Sequence, residues 1–128
     1  MKLKWLFIAT AVIANIFGFV FLILPAQVYS LYGVTTNAQL NYMGRLFGAT
    51  LLVKGLVAWK ARNAADSEAR RAIVFGIFVA DVVGFLVALN GQLHVVVNSL
   101  GWTTVAIYFV LAMGFAYFQF SKPASVDG

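Results

Sequence analysis

The amino-acid sequence predicts an all-α protein, a four-helix transmembrane bundle with both termini on the cytoplasmic side. Three observations predict this class. The 128 residues are 62% hydrophobic and only 10% charged, whereas about 25% of the residues of soluble domains are charged. The mean hydropathy of +0.91 excludes a water-soluble globule. Four apolar stretches also approach the roughly 20 residues that a helix needs to cross a bilayer.

The predicted spans form one transmembrane domain over residues 1–128, and they cover residues 5–24, 41–60, 72–90 and 99–120. The first span carries no charged residue and ends before Pro25, which cannot continue a helix. The second span carries Arg45 and Lys54. We expect Asp66 to cap the start of the third span and Gly91 to cap its end.

The uncharged segment between the first two spans, residues 25–40, has features of a short helix lying in the membrane interface. Val28, Leu31 and Tyr32 recur at helical spacing, which is typical of such a helix. The sequence therefore predicts a fifth, non-spanning element at this point.

The orientation follows from the cations, because cytoplasmic loops are enriched in Lys and Arg. Seven of the nine Lys and Arg lie at the predicted cytoplasmic ends of the chain and of the spans, namely Lys2, Lys4, Lys60, Arg62, Arg70, Arg71 and Lys122. The positive-inside rule then places both termini and the hairpin at residues 61–71 in the cytoplasm. The net charge of +5 is thereby explained by topology, and no nucleic-acid partner is expected.

Five polar residues inside the spans are the candidate ligand or ion site. At 1.5 Å per residue, Asn15, Thr50, Lys54, Asp81 and Tyr108 fall at similar depths. A carboxylate at this depth is costly and usually pairs with another group, and Lys54 is the best partner for Asp81. Three interpretations stay open: an ion pair that sets helix register, a ligand or ion site, and a neutral Asp81 with Lys54 reaching the interface.

Small residues recur along the second and third spans at spacings that let helix backbones approach closely. They are Gly44, Gly48, Gly55, Gly76, Ala80 and Gly84. Packing of these two helices against each other and a homodimer face are both compatible with the pattern.

A second polar group is predicted at the outer end of the spans. Arg45, Asn90, Gln92, His94 and Asn98 gather there and are candidates for an outer vestibule. The alternative is that they cap helices and contact lipid headgroups.

The residue types needed for most chemistry are scarce. Zero cysteines exclude disulfides and thiolate sites, and the single histidine excludes a multi-histidine metal site within one chain. No arrangement of nucleophile, base and acid is recognisable. We predict no catalytic residue, no metal and no cofactor.

Several segments carry a resemblance to known proteins, and these are residues 31–34, 45–49, 59–72, 81–84 and 98–102. They resemble small bacterial four-helix integral membrane proteins that have no assigned role. At greater distance the layout is similar to the DoxX-like superfamily, which includes membrane subunits associated with quinone or thiol redox systems. The resemblance implies the inner membrane of a bacterium, and it brings no catalytic residues with it.

The preferred function is that of a non-catalytic integral membrane protein that binds or assists a membrane partner or a lipophilic ligand. Its expected partners are the lipid bilayer and either a second copy or a larger membrane complex. One alternative is a small proton-coupled transporter or carrier using Asn15, Lys54 and Asp81. Another is a DoxX-like, quinone-associated redox accessory with its ligand near Tyr108.

Overall fold

The computed structural model describes residues 2–121, so Lys122, which entered the orientation argument, lies outside the described residues. This part of the chain is helical and contains no strand. The five helices are α1 (Leu3–Ile23), α2 (Pro25–Leu31), α3 (Ala38–Ala61), α4 (Glu68–Leu93) and α5 (Gly101–Phe120).

The prediction of a four-helix transmembrane bundle with both termini in the cytoplasm is wrong. Of the five helices between residues 2 and 121, three are long and apolar enough to cross a membrane, namely α1, α4 and α5. Helix α3 has 24 residues but is too polar, because Arg45, Lys54 and Lys60 interrupt its apolar sequence. Both termini lie on the same side of the membrane only if the number of crossings is even. With three candidate spans instead of four, that placement is no longer supported.

Two helix starts are set by side chains that accept a backbone hydrogen bond. The Asn37 side chain accepts from the amide of Leu40 at the start of α3. At the start of α4 the cap is Ser67, which accepts from the amide of Arg70, and the prediction of Asp66 at this position is wrong. Both caps satisfy an amide that has no partner within its helix.

Helix α4 continues through Gly91, which the sequence predicted as its cap, and ends two residues later. The residue in the left-handed region is Val95, with φ of 55°, and the amide of Val96 donates to the Gly91 carbonyl at 2.9 Å. Helix α2 ends in the same way with Gly33, at φ of 76°. A β-branched residue is disfavoured in this region by about 1–2 kcal/mol, so the end of α4 is strained where the end of α2 is not.

The long helices pack mainly as two pairs, α1 with α3 and α4 with α5. The closest approach is at Gly18 and Gly48, where a Cβ added to Gly48 would lie 2.6 Å from the Gly18 carbonyl oxygen. A core of buried side chains joins the two pairs at the end of the bundle where α1 begins. It contains Leu3, Leu6, Phe7, Ala11, Ala58, Ala61, Val74, Ile77, Leu111 and Phe115.

Large apolar side chains cover the outer faces of the three candidate spans. Ile16, Ile23, Val87, Val110 and Phe120 are exposed by 58–74%. A surface of this kind is unfavourable in water and suits a hydrocarbon environment. Together with the three candidate spans, it identifies the chain as a membrane protein.

The close approach of α1 and α3 makes a prediction about Gly48. We expect Gly48→Ala to lower the free energy of unfolding by about 1–3 kcal/mol, because the new methyl group meets backbone atoms of α1 that cannot rotate away. The measurement is helicity by circular dichroism during denaturation in mild detergent.

The matched control is Gly76→Ala in α4, where an added Cβ has no atom of residues 2–121 within 4 Å. This variant should be neutral or more stable by up to about 1 kcal/mol, the helix-propensity difference between the two residues. Equal stability of the two variants would contradict the packing of α1 on α3.

Candidate ligand site in the helix bundle

Three side chains from three helices meet inside the bundle. Lys54 of α3 donates a hydrogen bond to Asp81 of α4 and forms an ion pair with it. The Lys54 ammonium also lies 5.5 Å from the centre of the Tyr108 ring of α5. Tyr108 in turn packs against Gly84, where a Cβ would lie 2.3 Å from its ring. The contacts therefore link α3 to both helices of the second pair.

Burial makes this ion pair consequential for the fold. The side chain of Asp81 is 0% exposed and that of Lys54 is 18% exposed. Removing either charge would leave the other without its partner in a poorly solvated place, which is strongly destabilising. The second carboxylate oxygen, Oδ2 of Asp81, is also buried and has no hydrogen-bond partner among residues 2–121.

Asn15 and Thr50, which the sequence placed in the same layer, take different positions. Asn15 of α1 packs against Gly55 of α3, where an added Cβ would lie 2.6 Å from its Oδ1 atom. That atom is buried and accepts no hydrogen bond within the described part of the chain. Thr50 is exposed, and its hydroxyl donates to the Leu46 carbonyl of its own helix at 3.1 Å. Asn15 therefore packs against the residue that follows Lys54 in α3. Thr50 lies on the outside of the bundle.

A cavity of about 130 Å³ lies between α1, α3 and α5, and Lys54 and Tyr108 form part of its wall. Its lining is mainly apolar and aromatic, from Ile13, Ala14, Phe17, Phe21, Phe47, Leu51, Ile107 and Leu111. Three further polar residues line it: Thr10, Tyr32 and Thr104. Cavities of this composition, with a few polar groups among apolar ones, are typical small-molecule sites.

The three further polar residues were not predicted as site residues. Thr10 is 1% exposed, and its hydroxyl has no hydrogen-bond partner among the described residues. The sequence did contain a signal for this site residue, because Thr10 is one of two polar residues in the first predicted span. The hydroxyls of Tyr32 and Thr104 lie 3.0 Å apart and join α2 to α5. No local pattern in the sequence indicates that pairing.

Two side chains of the predicted outer vestibule, those of Arg45 and His94, contact backbone carbonyl groups near helix ends. The guanidinium of Arg45 donates to the Leu22 carbonyl of α1 at 3.3 Å. His94 Nδ1 lies 2.8 Å from the Asn90 carbonyl oxygen, one helical turn before it. These contacts hold each side chain against a helix end.

The remaining vestibule residues hold the connection between α4 and α5 against α2. Gln92 donates to the Asn98 carbonyl at 3.1 Å, and Asn98 donates from its side chain to the Leu31 carbonyl at 2.9 Å. The Asn98 side chain also accepts from the amide of Leu100 at 3.0 Å. These hydrogen bonds hold the loop after α4 against the end of α2. They correspond to the helix-capping role that the sequence left open as the alternative to a vestibule.

The small residues of α3 and α4 do not pack against each other. Those of α3 contact the first pair and its connection, with Gly44 against Tyr29, Gly48 against Gly18 and Gly55 against Asn15. In α4 only Gly84 faces a neighbouring helix, whereas Gly76 and Ala80 are exposed. The close approach of backbones therefore occurs within the first helix pair.

Metal-binding side chains are not grouped in the described residues. Between residues 2 and 121, no three His, Cys, Asp or Glu lie close enough together to hold a metal ion. The chemistry available in the bundle cavity is therefore that of an ammonium group, hydroxyls and apolar surface.

Comparison with known proteins gives a match to a family model. The family model described as "Domain of unknown function (DUF8292)" matches residues 1–121. No curated protein and no solved structure matches the chain.

The buried ion pair predicts strong coupling between its two members. We expect Lys54→Met and Asp81→Asn each to destabilise the protein by about 3 kcal/mol, because each leaves one buried group without its partner. The double variant should be more stable than the sum of the two single effects implies, by about 1–3 kcal/mol. Denaturation in mild detergent, followed by circular dichroism, measures all three.

The control for loss of a cation from α3 is Arg45→Met. Arg45 is exposed and makes one hydrogen bond, to the Leu22 carbonyl at 3.3 Å, so its removal should lower the stability by no more than about 1 kcal/mol. Strictly additive effects of the Lys54 and Asp81 substitutions would contradict the ion pair.

Proposed function

The chain belongs to the DUF8292 family, and we propose that it is a non-catalytic membrane protein that binds a lipophilic ligand between α1, α3 and α5. One observation carries the proposal: an apolar cavity of about 130 Å³ has the Lys54 ammonium in its wall. A buried hydroxyl without a partner in the described chain, that of Thr10, lines the same cavity.

The volume favours part of a lipophilic molecule as the occupant. An apolar protein cavity of about 150 Å³ is large enough for benzene. The cavity here therefore suits one ring or a short segment of a chain, with the rest of the molecule in the surrounding hydrocarbon. From Thr104 to Leu111, both in the lining, α5 rises about 10 Å, which favours an elongated segment.

The polar groups favour a ligand that carries a neutral acceptor oxygen. An ammonium group has three N–H donors, and Lys54 uses one of them for Asp81. Because the two side chains together are neutral, a neutral carbonyl, ester or hydroxyl oxygen disturbs the pair less than a second carboxylate does. Thr10 supplies a further donor for the same purpose.

The location and partners are part of this proposal. The bacterial inner membrane is supported by the resemblance to small bacterial membrane proteins. The lipid bilayer is the primary partner, supported by the apolar outer faces of α1, α4 and α5. We include contact with a second copy or a larger complex at the exposed Gly76 and Ala80 of α4.

A proton-coupled carrier is the second candidate, and a specific contact favours it. Lys54 lines the cavity and is paired with the buried Asp81, so a ligand that reaches the ammonium contacts one member of an ionisable pair. Uptake coupled to proton flux in proteoliposomes, lost in Asp81→Asn, distinguishes this carrier from a binding protein. A quinone-associated redox role rests on the DoxX-like resemblance alone.

The ligand proposal predicts opposite effects of Thr10→Val on stability and on binding. Valine has nearly the shape of threonine, and it removes a buried hydroxyl that has no partner in the described chain. The delipidated protein should therefore keep or raise its unfolding midpoint. Ligand retention should fall by about two- to tenfold, the range for one lost hydrogen bond. The measurement is mass spectrometry of organic extracts of protein purified in mild detergent.

Two alanine substitutions serve as a matched pair in the same measurement. Ala14 is 4% exposed and lines the cavity, so Ala14→Leu should displace the ligand by filling its space. Ala49 of α3 is exposed, and Ala49→Leu should leave the ligand in place. An identical set of compounds in all variants, in the proportions of the bulk lipid, would count against the binding proposal.

A further inference from the structure

The charges of the chain are concentrated at one end of the bundle, which we call the basic end. It is the end where α1 begins and where residues 62–67 connect α3 to α4. Six cations of the described residues lie there, namely Lys2, Lys4, Lys60, Arg62, Arg70 and Arg71. The acidic residues beside them are Asp66 and Glu68, so the part of this end within residues 2–121 has a formal charge of +4.

A polar cavity of about 290 Å³ lies at the basic end, separate from the cavity between α1, α3 and α5. Four of the six cations line it: Lys2, Lys4, Arg62 and Arg70. Among the described residues its lining contains no Asp or Glu, although Asp66, which lies outside it, pairs with Arg71 at 2.8 Å and with the lining residue Arg70 at 3.6 Å. The positive charges of Lys2, Lys4 and Arg62 still give the cavity a positive potential, which attracts an anion.

Two of the cations are held in place by their neighbours. The Arg62 guanidinium stacks 3.8 Å from the centre of the Trp59 ring and donates to the Trp59 carbonyl at 2.6 Å. Arg70 has a side chain only 10% exposed and donates to the Ala64 carbonyl at 3.2 Å. Side chains ordered in this way lose less conformational freedom when they bind a ligand than mobile ones do.

The start of α1 adds to the positive potential. Its N-cap residue, Lys2, makes no capping hydrogen bond with its side chain, and the first turn contains no acidic residue. The amides of this turn point toward the helix start and carry a partial positive charge. Backbone and side chains therefore contribute the same sign of charge at one place.

We propose that this cavity binds a phosphate group, and that its source is the headgroup of an anionic phospholipid. Arginine binds phosphate oxygens through paired N–H donors and lysine binds them as a point charge. Leu3 and Phe7 also line the cavity, but both belong to the buried core. The exposed apolar surface beside the lining cations is that of Trp5, which is 57% exposed and follows Lys4 in α1. Exposed apolar surface beside the cavity suits a headgroup whose acyl chains lie against α1, whereas inorganic phosphate makes no favourable contact with such a surface.

The experiment compares lipid retention by the full chain in native mass spectrometry. The protein is purified in mild detergent and mixed with equal amounts of phosphatidylglycerol and phosphatidylcholine. The wild type should retain phosphatidylglycerol preferentially. Arg62→Gln should lower that retention about fivefold, the factor expected for one cation at an anionic headgroup.

Lys60→Gln is the matched control, because Lys60 lies near the same end of α3 but does not line the cavity. It removes the same charge and should leave the retention within about twofold of the wild type. Lys4→Gln provides a second lining variant should Arg62→Gln fail to fold, and it should behave as Arg62→Gln does. Equal loss in Lys60→Gln, or equal retention of the two lipids by the wild type, would overturn the proposal.

A second arm distinguishes the sources of the phosphate group. The unfolding midpoint of delipidated protein is measured in about 10 mM inorganic phosphate and in chloride of the same ionic strength. Stabilisation by phosphatidylglycerol but not by inorganic phosphate supports the lipid headgroup as the source of the phosphate group. Stabilisation by inorganic phosphate without any lipid preference overturns the lipid source. None of these readouts depends on Thr10 or Lys54, so failure here leaves the proposed ligand site standing.

Discussion

The position of α3 depends on the ion pair between Lys54 and Asp81. Helix α3 is the most polar of the four long helices, and it nevertheless packs along α1 inside the bundle. The charge of Lys54 is acceptable there because a fully buried carboxylate on α4 accepts its hydrogen bond. Lys54 and Asp81 are thus also the polar bridge between the first helix pair and the second. The rest of the interior follows from this: Tyr108 lies over the ammonium, and the cavity opens beside it.

Local patterns in the sequence predicted much of the helical framework. Apolar runs of sufficient length mark α1, α4 and α5 as helices, and similar depth with opposite charge made Lys54 the best partner for Asp81. The same reasoning failed for the number of spans. Length alone predicts a span over residues 41–60, but the cations at positions 45, 54 and 60 make the helix too polar. The prediction of a helix end failed where two neighbouring residues could each serve as the cap, as with Asp66 and Ser67.

The cavity could be predicted only in part, because tertiary contacts create it. Lys54 and Tyr108 are recognisable as costly groups inside apolar sequence, and the hydroxyl of Thr10 is recognisable in the same way. The contact of Tyr32 with Thr104 joins residues 72 positions apart, and no periodicity encodes it. Thr50 shows the converse. Depth alone suggested that it joins the layer, but its position on the circumference of α3 turns it outward, where it bonds to its own helix.

The most direct test of this account is a distance measured in lipid. Rotational-echo double-resonance solid-state NMR of protein labelled with 15N at lysine side chains and 13C at aspartate carboxyls reports the separation of Lys54 Nζ from Asp81 Cγ. The buried ion pair predicts a separation of about 3–4 Å, as for a charge-assisted hydrogen bond, and loss of the signal in Asp81→Asn. Asp66, the other aspartate between residues 2 and 121, pairs with arginines. Absence of any lysine–aspartate contact within about 6 Å would contradict the buried ion pair and the arrangement of α3 that depends on it.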